Sequence, residues 1–168
     1  QAVKDDIIPK NYMKNIDRPK QVKVRHMVTL SVDEVKSFLS NISNTEHHAL
    51  FKLAFATGMR RSELLGLRWS DIDFKKSTIS ISQTALKIGS TAVISNTTKT
   101  TSSKRIIAID TETLQELMKH KTVIDKRRIK TMNWINNNLV FPGIKGDPRC
   151  PDEVSKLCKK YASLIGKT

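Results

Sequence analysis

Two arginines and a glutamate fall within four consecutive positions of the run TGMRRSELLGLRW, Thr57 to Trp69. Gly58 is free to take the left-handed backbone that ends a helix. Arg60 is therefore expected at the opening of the next helix, beside backbone N–H groups that no helical carbonyl satisfies. Glu63 follows three residues on, hence on the same face one turn later, where its carboxylate can fix the Arg60 head. A guanidinium held that way can clamp two oxygens of one phosphate. Leu64, Leu65 and Leu67 bury the same helix and seat its charged end on a packed element. The same residues also fit an amphipathic helix whose charged end is merely solvated, and this segment alone does not choose between the two.

The run resembles the first arginine box of the tyrosine recombinases, the phage integrase family: T-G-x-R with an acidic residue three positions later. In that resemblance Arg60 is the first catalytic arginine and Glu63 supports it. The family carries, further on, a short sheet with an active lysine on a hairpin, ahead of an arginine that leads into a strand. Asn96 to Asp110, NTTKTTSSKRIIAID, offers Lys99 for the lysine and Arg105 for the arginine. Lys104 is the second candidate for the lysine, but it sits beside the strand and not at the tip. Alone, Lys99 would read as a solvated loop lysine. Two boxes in this order, about forty residues apart, are far more specific than either one.

The resemblance implies cleavage of a DNA phosphodiester by a tyrosine hydroxyl, through a phosphotyrosine link that another strand's free hydroxyl reverses, with no metal or other cofactor. Arg60 would stabilise charge on the non-bridging oxygens of a phosphorane-like state. Lys99 would protonate the departing 5′ oxygen, which an arginine cannot do. Lys20, Lys23, Arg25, Arg61, Lys104 and Arg105 are the expected DNA contacts. The family pattern continues with a His-x-x-Arg box, a later His or Trp, and the tyrosine nucleophile, none of which occurs in residues 1–168. Tyr12 and Tyr161 are not at the family position and read as packing residues. The chain therefore reads as a fragment, inactive alone. Residues 1–28 would be the end of a preceding core-binding helical domain plus a linker, and residues 29–168 the N-terminal part of the catalytic domain. The expected partner is double-stranded DNA, with self-association on it (a tetramer in the family), and neither a membrane nor a small-molecule substrate. A non-catalytic DNA-binding protein on the same fold is the alternative. A basic RNA-binding module ranks third, since no aromatic-rich strand is present to stack bases.

Composition agrees with a polyanionic partner. Thirty Lys and Arg against sixteen Asp and Glu give a formal charge of +14 and a pI near 10.0, while 38% hydrophobic residues suffice for one packed domain. The basic excess gathers in residues 1–30, in 99–130 and after Glu153, three segments that could line one groove. A charge of this size also suits an inert basic surface. No apolar run approaches membrane-spanning length and the amino terminus is charged, which points to a cytoplasmic, DNA-associated protein. Cys150 and Cys158 form no CxxC pair, and His26, His47, His48 and His120 stand at no metal-ligand spacing, so no metal role is assigned.

The elements that must position the arginines read as an α+β fold. The resemblance implies a mostly helical catalytic domain with a small antiparallel three-stranded sheet at its edge. Ser31 and Glu34 form a capping box, with Leu30 stapled to Val35, for a helix reaching about Ile42. A second helix, about Glu46 to Ala56, is apolar almost all round and must be central. A third runs from Arg60 to about Leu67. Ile72 and Phe74, then Ile79 and Ile81, alternate onto one face across a turn at Lys75–Ser77. Residues 83–94 have no readable register. Residues 95–103 read as a polar hairpin tip carrying Lys99, between Val93–Ile94 and Ile106–Ile109. Asp110 or Thr111 caps a helix with Leu114, Leu117, Met118 and Ile124 as its stripe. Trp134, Leu139, Val140 and Phe141 read as core, ahead of a Gly- and Pro-rich loop. A last helix starts near Pro151, turns Val154, Leu157, Cys158 and Tyr161 inward, and ends near Gly166.

Overall fold

Ser31 opens the first helix of the computed structural model, which describes residues 29–89, 91–95 and 105–167, with isolated positions 3, 7, 9 and 10. Lys20, Lys23, Arg25, Lys99, Lys104 and Tyr12 lie outside the described residues. Helix α1 spans Val32–Asn41. Its capping box is closed on both sides: the Glu34 N–H donates to Ser31 Oγ at 3.3 Å, and the Ser31 N–H donates to Glu34 Oε2 at 2.8 Å. Helix α2, His48–Thr57, ends on Gly58 at φ 62°, whose N–H donates to the Ala54 carbonyl at 2.9 Å. Helix α3 is short, Arg61–Gly66, with Arg60 as its N-cap residue.

The apolar character of α2 is explained by its neighbours, because it contacts α1, α3 and the long helix α4 (Thr111–Lys130). Its Leu50 and Leu53 share one core with Phe38, Ile42, Leu65, Ile79, Ile81, Leu117 and Val140, all fully buried. Each such side chain stabilises the fold by about 1.5–3 kcal/mol through burial. Helix α5, Pro151–Ser163, closes this core with Val154 and Tyr161. The Tyr161 ring meets Phe38 and Phe51 edge-on, at centroid distances of 6.0 and 5.8 Å.

Strands β1 (Ile72–Asp73), β2 (Thr78–Ile81) and β5 (Arg105–Ala108) form an antiparallel three-stranded sheet in the order β1-β2-β5. Ile79 lies between Ile72 and Ile107, so the alternation that marks these strands turns Ile72, Ile79, Ile81 and Ile107 onto the core and leaves Ile106 exposed. Residues 83–94 are mostly a separate hairpin, β3 (Thr84–Ile88) with β4 (Thr91–Ser95), in the register Ala85↔Ile94 and Leu86↔Val93.

Three expectations are corrected. The residues flanking the polar segment are not partners, because β4 pairs with β3 and β5 with β2. Met118 is 56% exposed, and the inner stripe of α4 is Thr113, Leu117, His120 and Ile124. Polar groups can fill such a stripe when satisfied: Thr113 bonds Asp110 at the cap, and His120 Nε2 meets the Val140 carbonyl at 2.8 Å. Cys158 is exposed, one step off the face that carries Val154 and Tyr161.

Candidate functional site

Glu63 sits at the third position of α3 and is only 3% exposed. Four donors converge on its carboxylate. The Arg60 backbone N–H reaches Oε2 at 2.8 Å and Arg60 Nη1 reaches Oε1 at 3.0 Å. Arg105 adds a bidentate pair, Nη1 to Oε1 at 2.9 Å and Nη2 to Oε2 at 2.8 Å. The sheet sets the second arginine's place: Arg105 is opposite Ile81 at the start of β5, on the strand face that also carries Ile107.

Burial by itself would raise the Glu63 pKa, but the Arg105 hydrogen bonds, then those from Arg60, outweigh it and hold the carboxyl at about 2. Reciprocally, the hydrogen bond to Glu63 raises the Arg105 pKa. Both guanidiniums stay charged beside a carboxylate that is ionised at any working pH. One negative charge thus organises two positive ones. Arg105 has committed two of its donors inward, whereas the Arg60 side chain is 72% exposed and commits only Nη1. The rest of the Arg60 fork opens to solvent, oriented and able to meet the oxygens of an anion.

The structure brings Arg60, Glu63 and Arg105 together and takes Arg61 elsewhere. Arg61 turns toward α5, where Nη1 donates to Ser155 Oγ and lies 3.8 Å from Asp152 Oδ1. Arg105, expected as a DNA contact, is spent mainly on Glu63. Strand parity was the signal for this, since in RIIAI the positions 105, 107 and 109 share one face and Ile109 is buried. A second carboxylate fixes the exit from α3. Asp71 accepts from the Arg68 backbone N–H, from Arg68 Nε and Nη2, and from Ser82 Oγ. Among the described residues no three His, Cys, Asp or Glu side chains gather as metal ligands, and no helix is long and apolar enough to cross a membrane.

Among the described residues, five α-helices and small antiparallel strand pairings, with two arginines on one buried carboxylate, define an α+β domain whose short helix α3 opens on an exposed, oriented guanidinium. The Phage integrase family profile matches residues 29–168, and the chain belongs to this family, the tyrosine recombinases. The integrase of Staphylococcus phage L54a is 28% identical over 161 residues, 91% of this chain and 46% of the relative. A tyrosine recombinase XerC-like protein of Caldanaerobacter subterraneus subsp. tengcongensis is 27% identical over 151 residues, 83% of this chain and 38% of that protein. Among solved structures, the Tn1549 transposon integrase in complex with transposon right end DNA superposes with a TM-score of 0.68 at 26% identity, over 95% of this chain and 53% of that one. The chain spans less than half the length of these two curated relatives.

Proposed function

We propose that residues 29–168 carry the phosphate-binding part of a site-specific DNA recombinase that breaks and rejoins strands through a phosphotyrosine intermediate. The observation that carries this reading is the Arg60–Glu63–Arg105 cluster. A scissile phosphate gains charge on its non-bridging oxygens in the transition state, and a pre-oriented, permanently charged guanidinium lowers that state without reorganising. Arg60 is the catalytic arginine in this proposal, Glu63 and Arg105 position it, and Lys99 is the proton donor to the leaving 5′ oxygen. Residues 1–28 serve as the end of a preceding DNA-gripping domain and a linker, with Lys20, Lys23 and Arg25 beside the backbone. Lys104 is a further DNA contact in this proposal. The relatives support double-stranded DNA as the partner, since the Tn1549 enzyme was solved in complex with transposon end DNA. Self-association on DNA and a cytoplasmic, DNA-associated place in a bacterial host cell belong to the same proposal.

Tyr161 is not the nucleophile in this reading. Its ring is buried between Phe38 and Phe51, and its hydroxyl lies 3.0 Å from His47 Nδ1. Residues 1–168 alone should therefore bind duplex DNA without attaching to it. The test is a pair of measurements on this chain. Incubation with nicked duplex should give no band of covalent adduct on a denaturing gel. Fluorescence anisotropy with an intact duplex should show salt-dependent binding that Arg60→Ala weakens by about one phosphate contact, a loss of roughly 0.9 from the log–log salt slope. An adduct would overturn the inactivity of residues 1–168. Absence of any duplex affinity would overturn the DNA reading.

A further inference from the structure

Helix α3 and strand β3 lie side by side and run in opposite directions. The Gly66 end of α3 abuts Thr84: a Cβ built on Gly66 would stand 2.8 Å from Thr84 Cα. At the other end, three residues along β3, Lys87 meets Arg61 through one shared carboxylate. Asp152, in the first turn of α5, places Oδ2 2.7 Å from Lys87 Nζ and Oδ1 3.8 Å from Arg61 Nη1. Ser155 Oγ is the third group there, taking a hydrogen bond from Arg61. This end of α3 is the one that carries Arg60 and Glu63.

We propose that Arg61 and Lys87 form a second phosphate subsite next to the Arg60 site, and that the Asp152 carboxylate occupies it until a DNA backbone phosphate takes its place. This rests on the DNA reading above and adds Lys87 and Asp152 to it. Carboxylate and phosphate present oxygens at similar spacing to the same donors, so one can substitute for the other. All three side chains are about half exposed, and pairs so exposed are weak, so the exchange costs little. The hydrogen bond and charge of the pair show in both partners, with the Lys87 pKa raised and the Asp152 pKa lowered. Displaced from its cations, Asp152 still has the open N-terminal turn of a 13-residue helix beside it.

The experiment measures duplex binding by anisotropy from low to moderate salt, for the unsubstituted chain and for Asp152→Asn, Lys87→Gln and the double variant. Asp152→Asn removes the resident anion, so affinity at low salt should rise about three- to tenfold and the salt slope should steepen by about one. Lys87→Gln should make the slope shallower by about one, and in the double variant it should cancel the gain. Asp33→Asn makes the same change of charge on α1, where Asp33 is 94% exposed, and should leave the slope unchanged. Thermal melts check that each variant is folded; should Asp152→Asn fail that check, Lys87→Gln decides alone. Slopes that do not move with either substitution, or an equal gain from Asp33→Asn, overturn the subsite while leaving the recombinase reading standing. A chain with no duplex affinity overturns both.

Discussion

Replacing Glu63 by Gln keeps its shape and removes the charge that two guanidiniums share, and the size of the effect follows from the site. The carboxyl pKa falls from its ordinary 4.5 to about 2 on folding. At about 1.4 kcal/mol per unit, ionised Glu63 contributes roughly 3 kcal/mol above pH 5. Solvent reaches the Arg105 side chain, which is 35% exposed, and softens the loss to about 2–3 kcal/mol. For a chain of this length that lowers Tm by about 4–12 °C. The sign of the pH dependence is fixed: the folded pKa lies below the unfolded one, so the contribution is complete above about 4.5 and disappears as pH falls toward 2. Urea unfolding of both proteins at pH 7, 5, 4 and 3 should show a stability gap that shrinks to about half by pH 3. A gap that stays constant across this range, or no gap at pH 7, would refute the argument that an ionised carboxylate holds the cluster.

Three further outcomes rest on different contacts. Gly66→Ala should cost about 2 kcal/mol by urea unfolding, because the new Cβ meets Thr84 backbone atoms at 2.8 and 2.9 Å and a strand must move to admit it; wild-type stability would show that α3 and β3 are not in such contact. His120 is pushed below its ordinary pKa of 6.5 by burial, so its neutral form is the folded one, and stability should decline as pH drops below 6.5. His120→Gln should flatten that decline between pH 6.5 and 5 while lowering stability at pH 7, where the bond to the Val140 carbonyl is weakened. Arg105→Ala should destabilise the fold more than Arg60→Ala, by about 1 kcal/mol or more in thermal melts, because Arg105 supplies two hydrogen bonds to Glu63 while the Arg60 backbone N–H survives its own substitution.

What the sequence disclosed and what it hid divide along the range of the interactions. The Ser31–Glu34 capping box, the left-handed Gly58 and the Arg60–Glu63 pair span one to three residues, so local spacing was enough to find them. Helix α2 was legible as central because no polar face could be drawn on it. The β3–β4 hairpin was not, since Leu86, Ile88 and Val93 are exposed on a two-stranded ribbon and no alternation marks an inner side. Met118 misled for the opposite reason: the α4 stripe is completed by Thr113 and His120, polar residues buried only because Asp110 and the Val140 carbonyl satisfy them.

The hidden partners matter most at the site itself. Forty-two residues separate Glu63 from Arg105, and what joins them is the pairing of β5 with β2, in which Arg105 stands opposite Ile81. A slip of one residue in that register would turn Arg105 outward and bring Ile106 over the carboxylate, leaving Glu63 buried with Arg60 alone. Burial raises the cost of that mispairing, because a carboxylate that is 3% exposed cannot recover its lost hydrogen bonds from water. The charge that aims Arg60 therefore also penalises the wrong strand register, so the sheet pairing and the orientation of Arg60 are specified by the same side chain.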